Sequence, residues 1–333
     1  MTVSVPSRKA GAVAMTACAL GWLATPALAS PAEAGDYPKK PIHMVVPSTA
    51  GAGADILARL VADKLGKTLG QPVVVENKPG ASSVIGTTAV ARAQPDGYTI
   101  LFTWTALIQS SVQKTKPPYD VFADLAPVAE VARSSFVLIG ATSAQTGSVK
   151  DFIATAKQRP GQYSYGSYGN GTSSHILGEL FKQSAGISMV HVPYRGGAPL
   201  LSDLQAGHIP VAFLDLASAR ANAGNERMKM LAITSSERSP YFKSTPTFGE
   251  LGIGGLDLEG WFGILAPGKT DPAIVQKLSA AVGKSLRDPG VSRRMEELGV
   301  TVVGNSPEEF TAKLRRDEEK WRTVITNAAI RAD

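Results

Sequence analysis

Reactive and cross-linking side chains are scarce in this sequence. Its 333 residues include a single cysteine, Cys18, which lies in an apolar N-terminal run. The rest of the chain therefore has no disulfide, no thiol nucleophile and no thiolate metal site. The four histidines are scattered, at His43, His175, His191 and His208. The sequence also lacks the H-E-x-x-H motif and any acid cluster with metal-ligand spacing, so we expect no metal, no cofactor and no enzyme activity.

Long hydrophobic runs are absent apart from one at the N terminus. Residues 10–23 are apolar and uncharged, and they follow the basic pair Arg8 and Lys9. Residues 27–29 read ALA, the small-residue pattern of a signal-peptidase cleavage site. The apolar run is too short for a transmembrane span, so we interpret residues 1–29 as a cleavable signal peptide. We expect the processed protein to begin at Ser30 and to be located in the periplasm.

Charge is neither strong nor concentrated. The formal net charge is +6, and the lysines and arginines are spread along the chain. The densest basic run, residues 313–322, is interrupted by acids, which is typical of a solvated helix face rather than a nucleic-acid surface. A mild positive field still favours anionic ligands over cationic ones. We expect no nucleic-acid partner, and because nothing indicates a dimer face we expect a monomer.

Strand and helix patterns alternate through most of the chain. Residues 42–46 are typical of a buried strand, and apolar positions over residues 56–69 then recur at helical spacing. Further strands are predicted at residues 72–76 and 98–104, and the pattern restarts after a strand at residues 136–139. This alternation predicts an α/β fold whose sheets are mainly parallel and flanked by helices.

The C-terminal part of the chain is mostly helical. One helix follows Asp271, and another begins with a capping box at residues 306–309. We expect this helical tail to pack back on the first part of the fold. Two crossings then give lobe 1 from residues 36–138 plus 262–333, and lobe 2 from residues 139–261. In such proteins the ligand lies between the lobes, outside the carboxyl ends of the strands.

Two distant segments share the order strand, turn of small residues, helix. Residues 44–55 read MVVPSTAGAGAD, and residues 163–172 read YSYGSYGNGT. Each turn brings free backbone N–H groups and the positive end of a helix dipole to one point, which favours an anion. A glycine after a strand can simply make a tight turn, but the duplication, with hydroxyl residues in both copies, favours binding. The sequence therefore predicts that both turns grip one small anion.

Several polar residues near strand ends have two interpretations. The hydroxyls of Thr172 and Ser173 either cap the following helix or contact the ligand. Arg195, beside Tyr194, either bonds a second carboxylate or is a surface arginine beside a turn. Asp215 either caps a helix that starts at residue 216 or faces the ligand, where it would favour an amine or a hydroxyl. These alternatives stay open at the level of sequence.

For other residues the sequence favours one role. Ser167 and Asn170 are expected to face the ligand, because polar side chains on a glycine-rich turn have few structural roles. For His175, one turn into the helix, a hydrogen bond within the protein is favoured over direct ligand contact. Trp104 is the better candidate for the cleft wall, where it could stack on a flat ligand. Trp261 is more consistent with packing at a hinge.

The order of these motifs resembles the periplasmic substrate-binding receptors of tripartite tricarboxylate transporters, also called the Bug family. The resemblance covers essentially the whole chain after the signal peptide. It implies a two-lobed type II periplasmic binding fold, in which backbone N–H groups, hydroxyls and bridging waters of the two turns hold one ligand carboxylate. The matching stretches are residues 37–38, 41–42, 47–59, 75–81, 95–101, 165–175, 191–197 and 261–267.

The resemblance also implies which residues contact the ligand. The first turn carries over as residues 48–55, the second as residues 167–175, and Asp215 matches a position that can meet the distal part of the ligand. This sequence departs from the family by having Ala52 in place of the second of two adjacent glycines. Serine and threonine also replace an aromatic or apolar residue and a proline at the start of the first turn. The candidate ligand-binding residues are Ser48, Thr49, Ala50, Gly51, Ala52, Asp55, Trp104, Ser167, Tyr168, Gly169, Asn170, Gly171, Thr172, Ser173, His175, Tyr194, Arg195 and Asp215.

The predicted function is capture of a small carboxylate by the two turns, followed by lobe closure and delivery to a membrane permease. A dicarboxylate, a tricarboxylate, an amino acid or an aromatic acid would each satisfy one carboxylate grip. A sensor subunit that presents its liganded form to a membrane kinase needs the same pocket and stays an alternative. A secreted serine hydrolase is the remaining alternative, because residues 165–169 resemble a nucleophile elbow without its first glycine.

Overall fold

A computed structural model describes residues 1–4, 37–113, 115–144, 147–240 and 242–327. The predicted signal peptide from residue 5 onward and the predicted mature start at Ser30 lie outside the described residues. Within the described ranges, no helix combines the length and the apolar composition that crossing a membrane requires.

Ten strands and ten α-helices are defined in the described part of the chain. The strands are β1 (Ile42–Val46), β2 (Val73–Asn77), β3 (Thr99–Trp104), β4 (Leu125–Ala141), β5 (Tyr163–Ser167), β6 (Met189–Pro193), β7 (Val211–Asp215), β8 (Met228–Ile233), β9 (Glu259–Pro267) and β10 (Thr301–Val302). The helices are α1 (Gly53–Leu69), α2 (Val84–Ala91), α3 (Ala106–Ser111), α4 (Val149–Gln158), α5 (Ser173–Ala185), α6 (Gly197–Ala206), α7 (Leu216–Ala221), α8 (Pro272–Leu286), α9 (Pro289–Glu297) and α10 (Pro307–Asn327).

One long strand joins the two lobes. The main strand order is β2-β1-β3-β9-β4-β7-β5-β6, and β8 and β10 also pair with β4. Residues 125–135 of β4 pair with β9, whereas residues 136–141 pair with β7 and β8. Lobe 1 therefore carries β1, β2, β3, β9, β10 and the first part of β4, and lobe 2 carries β5 to β8 and the remainder.

The pairing directions follow from this crossing. As the alternation predicts, β2, β1 and β3 are parallel, and so are β6, β5 and β7. The strands β4 and β9 are antiparallel to each other and to their other neighbours. The reason is geometric, because β4 takes the chain from lobe 1 to lobe 2 and β9 brings it back in the opposite direction.

The structure contains two elements that the sequence pattern predicts only in part or not at all, the strand β4 and the helix α3. The strand predicted at residues 136–139 is the end of β4, whose first part contains Pro127, Glu130 and Arg133 and so lacks a continuous apolar pattern. Glu130 is fully buried, and its carboxylate accepts from Arg133 Nε at 2.9 Å. The short helix α3 was not predicted.

The predicted lobe boundaries at residues 138/139 and 261/262 fall inside β4 and β9 and stay a prediction.

Local capping signals are confirmed where they were predicted. Ser306 and Glu309 form a reciprocal capping box at the start of α10, with N–H to side-chain distances of 2.9 and 3.2 Å. Asp271 caps α8 by accepting from Ala273 N at 2.8 Å. Gly186 ends α5 in the left-handed conformation, with φ of 62°. The helical tail packs back on lobe 1 as expected, because α8 lies against α1 and α10 lies against β4.

The packing of α10 on β9 gives a testable prediction. A Cβ at Gly263 in β9 would overlap the ring of Phe310, which is fully buried and also contacts Trp261 edge-to-face at 5.2 Å. We expect Gly263→Ala to lower the free energy of unfolding by about 1–3 kcal/mol through overpacking. Gly224→Ala is the control, because no heavy atom lies within 4 Å of its Cβ position. Urea denaturation measures both, and equal stability of the two variants would contradict this account of the packing.

Candidate functional site

A cavity of about 590 Å³ lies between the lobes. Its walls come from the turn after β1, the loop before α2, the end of β3 and the region after α3 on lobe 1. Lobe 2 contributes the turns after β5 and β6 and the end of β7. This volume is within the range of roughly 300–1,000 Å³ that is typical of small-molecule sites.

The first glycine-rich turn is fixed by one buried carboxylate. Asp55 accepts hydrogen bonds from Gly51 N at 2.9 Å, Asn77 Nδ2 at 2.9 Å and Arg59 Nε at 3.1 Å. Burial acts to raise the pKa of Asp55, but these bonds to Arg59, Gly51 and Asn77 together outweigh it and lower that pKa. In the structure the Asp55 carboxylate is engaged in holding the turn, and its predicted contact with a ligand stays a prediction.

Helix α1 has no capping bond from its own N-cap residue. Its N-cap residue is Ala52, which has no cap-forming side chain, and Gly53 N donates to Ser218 Oγ at 2.8 Å. Within the described residues, the N–H groups of Ala54 and Asp55 have no protein acceptor. Since Ala54 lines the cavity, the first turn of α1 offers unpaired donors and the positive end of the helix dipole to a ligand.

The second turn is cross-linked by its own side chains. Tyr168 N donates to Ser174 Oγ at 2.9 Å, and Gly169 N donates to Ser167 Oγ at 3.1 Å. These bonds occupy the N–H groups of the turn itself and give it a defined shape. The donors that remain for a ligand are therefore in the helix that follows.

Helix α5 also begins without a side-chain cap. Thr172 is its N-cap residue, but Thr172 Oγ1 donates to Gly169 O at 2.8 Å instead of accepting from the helix. Within the described residues, the N–H groups of Ser173 and Ser174 have no protein acceptor. Ser173 lines the cavity, opposite the α1 terminus. The interpretation of Thr172 as a plain helix cap is therefore not supported, and two uncapped helix N-termini border the same space.

Asp215 caps the next helix, which was one of the two interpretations of this residue. Asp215 Oδ1 accepts from Ser218 N at 2.8 Å, and Oδ2 accepts from Ser218 Oγ and from the Tyr168 hydroxyl, each at 2.8 Å. Burial and the Asp215 charge raise the pKa of the Tyr168 phenol well above its ordinary value, so it stays a donor. Asp215 borders the cavity, but its lone pairs are largely engaged by the protein.

A pair of stacked histidines contacts the second turn and lies outside the cavity lining. The rings of His175 and His191 lie 4.0 Å apart between centroids and are nearly parallel, at 9°. His175 Nδ1 accepts from Gly171 N at 3.0 Å, and His191 Nε2 lies 2.6 Å from Ser167 Oγ. His175 therefore bonds the turn rather than lining the cavity, which agrees with the interpretation that the sequence favoured.

Aromatic side chains form much of the cavity wall. Trp104, Phe136, Trp261 and Phe262 line it, so the wall is apolar away from the turns. Trp261 packs against Phe310 and also borders the cavity. Its indole Nε1, like Ser83 Oγ on the loop before α2, is buried without a protein partner among the described residues.

Residues 57–330 match the tripartite tricarboxylate transporter family receptor domain. BugT of Bordetella pertussis is 33% identical over 306 residues, which cover 91% of this chain and 94% of BugT. The chain belongs to the tripartite tricarboxylate transporter receptor family. It is therefore a solute-binding protein of a family whose members are periplasmic binding proteins rather than enzymes, and the predicted resemblance is confirmed.

Solved structures share the two-lobed fold of this receptor. Rpa4515 of Rhodopseudomonas palustris, solved with adipate, is 32% identical with a TM-score of 0.85 and covers 89% of this chain and 99% of its own. MatC of the same organism, solved with malate, is 27% identical with a TM-score of 0.82 and covers 87% and 100%. A family protein from Polaromonas solved with no ligand is 29% identical, with a TM-score of 0.60 over 87% and 99%.

The receptor brings about half of the predicted ligand-binding residues to the cavity. Those that line it are Ser48, Trp104, Tyr168, Gly169, Asn170, Thr172, Ser173, Tyr194, Arg195 and Asp215. The others are in the turns or directly behind them, away from the cavity lining: Thr49, Ala50, Gly51, Ala52, Asp55, Ser167, Gly171 and His175. The contacts that any of these residues makes to a ligand stay a prediction.

Sequence reasoning missed the loop between β2 and α2. Ala81, Ser82 and Ser83 are consecutive non-glycine residues with positive φ, at 46°, 50° and 82°, and all three line the cavity. Such conformations cost about 1–3 kcal/mol each and concentrate at functional sites. Lys116, Gln113 and Ala54 also line the cavity and were not predicted. In the loop between β2 and α2, residues 77–83 read NKPGASS and predict only a turn. Alanine and serine at residues 81–83 are not residue types that usually mark left-handed backbone.

The histidine pair gives the receptor a predicted pH dependence. Burial lowers the pKa of both rings, and for His191, which is also close to His175, it falls from 6.5 to about 4. The stabilisation is fully present above pH 6.5 and decreases as pH falls toward 4, because the unfolded chain binds the proton first. From pH 7 to pH 5 we expect a loss on the order of 1–2 kcal/mol in unfolding free energy.

Urea denaturation at pH 7, 6 and 5 measures this loss. The double variant His175→Gln/His191→Gln keeps polar side chains but has no group that titrates there, so its stability should change less over this interval. Glu179 and Lys182 are the charged groups facing the pair. Burial acts to raise the pKa of Glu179, but its hydrogen bonds from Lys182 and Tyr165 outweigh burial and lower that pKa, so Glu179 is not expected to titrate between pH 7 and 5. An equal decrease in both proteins would show that the histidines are not the source.

Proposed function

We propose that this receptor binds a small dicarboxylate in the cavity between its lobes. The observation that carries the proposal is the pair of uncapped helix N-termini, α1 from lobe 1 and α5 from lobe 2, that border one cavity. One ligand carboxylate would accept from the unpaired N–H groups of Ala54 and Ser173, where both helix dipoles favour negative charge. Closure of the lobes brings these two donor sets together and excludes water.

The other cavity groups favour a second acceptor on the ligand. Among the described residues, Trp261 Nε1 and Ser83 Oγ are buried donors without a protein partner, and leaving such groups unpaired is costly. Lys116 and Arg195 add positive charge at the lining from opposite lobes. A ligand with acceptors at both ends and an apolar middle matches these donors and the aromatic wall.

An amino acid fits this cavity less well than a dicarboxylate. Among the described lining residues, Asp215 is the only acidic side chain. Its oxygens already accept from Ser218 and Tyr168, so an ammonium group would lack a free carboxylate partner. The neighbours solved with adipate and malate support the same ligand class. Delivery to a membrane permease is the further step that the family implies for this receptor, and it is part of the proposal.

A thermal-shift screen of the processed protein tests the ligand class. Succinate, malate and adipate should raise the unfolding midpoint, because a ligand that binds only the native state stabilises it. Glutamate, putrescine and the matching monocarboxylates serve as comparisons and should give smaller shifts. Stabilisation by putrescine or glutamate alone would overturn the dicarboxylate assignment.

A proline substitution tests the grip of the first turn. Ala54→Pro removes one unpaired N–H at a first-turn position that tolerates proline. An N–H bond to a charged group contributes about 1.5–3 kcal/mol, so dicarboxylate affinity should fall roughly 10- to 100-fold. Isothermal titration calorimetry measures the affinity.

Lys150→Pro is the matched control for this substitution. Lys150 holds the same second helical position in α4, is exposed, and lies outside the cavity lining. It should retain wild-type affinity. Unchanged affinity in Ala54→Pro, with both variants folded, would show that the α1 terminus does not hold the carboxylate.

A further inference from the structure

Glycines line the seam where the two lobes meet. A Cβ at Gly171 in the second turn would overlap the Gln113 amide of lobe 1, and one at Gly169 would lie 2.8 Å from Ser82 Oγ. On the other rim of the cavity, a Cβ at Gly53 would overlap the Asp215 carboxylate. Because these positions have no side chain, backbone of one lobe approaches side chains of the other closely enough for direct bonding.

Three direct hydrogen bonds join lobe 1 to lobe 2 on the side of the cavity where the second turn lies. Gln109 Nε2 donates to Ser173 Oγ at 2.7 Å, and Gln113 Nε2 donates to Gly171 O at 3.1 Å. Ser82 Oγ donates to Asn170 O at 2.8 Å. All three donors belong to lobe 1 and all three acceptors to the second turn or the first residue of α5, so lobe 1 holds the second half of the carboxylate grip in place.

The opposite rim is bonded in a different way. Gly53 N of lobe 1 donates to Ser218 Oγ of lobe 2 at 2.8 Å, and Ala198 N of lobe 2 donates to Thr49 Oγ1 of lobe 1 at 3.2 Å. The lobes are therefore bonded directly to each other on both sides of the cavity, and we refer to this bonded arrangement as closed. All five bonds join two protein atoms.

We propose that Gln109 and Gln113 are positioning residues that stabilise the closed receptor directly and so set its affinity. Gln109 is fully buried and lies outside the cavity lining, so its effect on binding would act through Ser173. Apparent affinity is the intrinsic affinity multiplied by the fraction of molecules in the binding-competent state. Bonds that raise this fraction without touching the ligand strengthen binding of every ligand the cavity accepts. The affinity part of this inference rests on the proposed function, and the closure part does not.

Distance measurements between spin labels test closure without a ligand. The processed protein has no cysteine, so Val74→Cys on β2 and Val190→Cys on β6 provide the only labelling sites. Both side chains are exposed, at 44% and 53%, on the outermost strands of the sheet path. Gln109→Ala and Gln113→Ala are introduced into this background. Gln205→Ala is the control, because its amide bonds Asn222 within lobe 2.

The expected result is a label distance in the ligand-free protein that gains a second, open population in Gln109→Ala and Gln113→Ala but not in Gln205→Ala. Loss of one hydrogen bond should weaken succinate, malate or adipate binding by roughly two- to tenfold. Label distances and affinities equal to those of the control would overturn the proposal. If Gln109→Ala does not fold, Gln113→Ala, whose side chain is only half-buried, still tests closure through its label distance. Because Gln113 also lines the cavity, its affinity counts for the proposal only if the label distance changes as well.

The two proposals fail in different ways. If the glutamine variants open the lobes while the wild-type protein binds no dicarboxylate, the closure bonds stand and the proposed ligand class is wrong. If dicarboxylates bind and the variants change neither label distance nor affinity, the ligand class stands and the role of the glutamines is wrong. The unfolding midpoint of each ligand-free variant separates an effect on closure from a general loss of stability.

Discussion

The antiparallel pairing of β4 with β9 is the constraint on which the rest of the structure depends. Both strands cross between the lobes, and they pair there through Ser135 and Glu259. Thr234 connects β4 to the residue before β9, because its Oγ1 accepts from Phe136 N at 2.9 Å and donates to Leu258 O at 2.7 Å. A hydrogen-bonded ladder resists splaying of its strands, so the two lobes keep facing each other across one cavity.

The anion-binding character of the cavity follows from that arrangement. Parallel strands place the turns after β1 and β5 at the carboxyl ends of their sheets. Different groups fix the shape of each turn. The Asp55 carboxylate bonds the turn after β1, and side-chain hydroxyls and His175 bond the turn after β5. With the turns satisfied by these groups, the N–H groups of Ala54 in α1 and Ser173 in α5 have no protein acceptor among the described residues, and both residues line the cavity.

The parts of the fold that depend on local chemistry were predictable from the sequence. Alternating apolar patterns located most strands and helices, and the Ser306 and Glu309 capping box and the Gly186 helix end formed where their residue types indicated. The first part of β4 and the helix α3 were missed. Glu130 interrupts the apolar pattern there, and its burial depends on Arg133 and on Asn305, a residue distant in sequence.

The sequence by itself determined the two strand–turn–helix segments, because glycine content, helix periodicity and strand composition act over a few residues. Only the tertiary structure decided what each polar residue in them does. Asp55, Thr172 and Asp215 have side chains suited to either a ligand or a backbone N–H, and the nearest partner in space determines which role is open. The contacts of Gln113 with the second turn likewise exist only because β4 and β9 bring the lobes together.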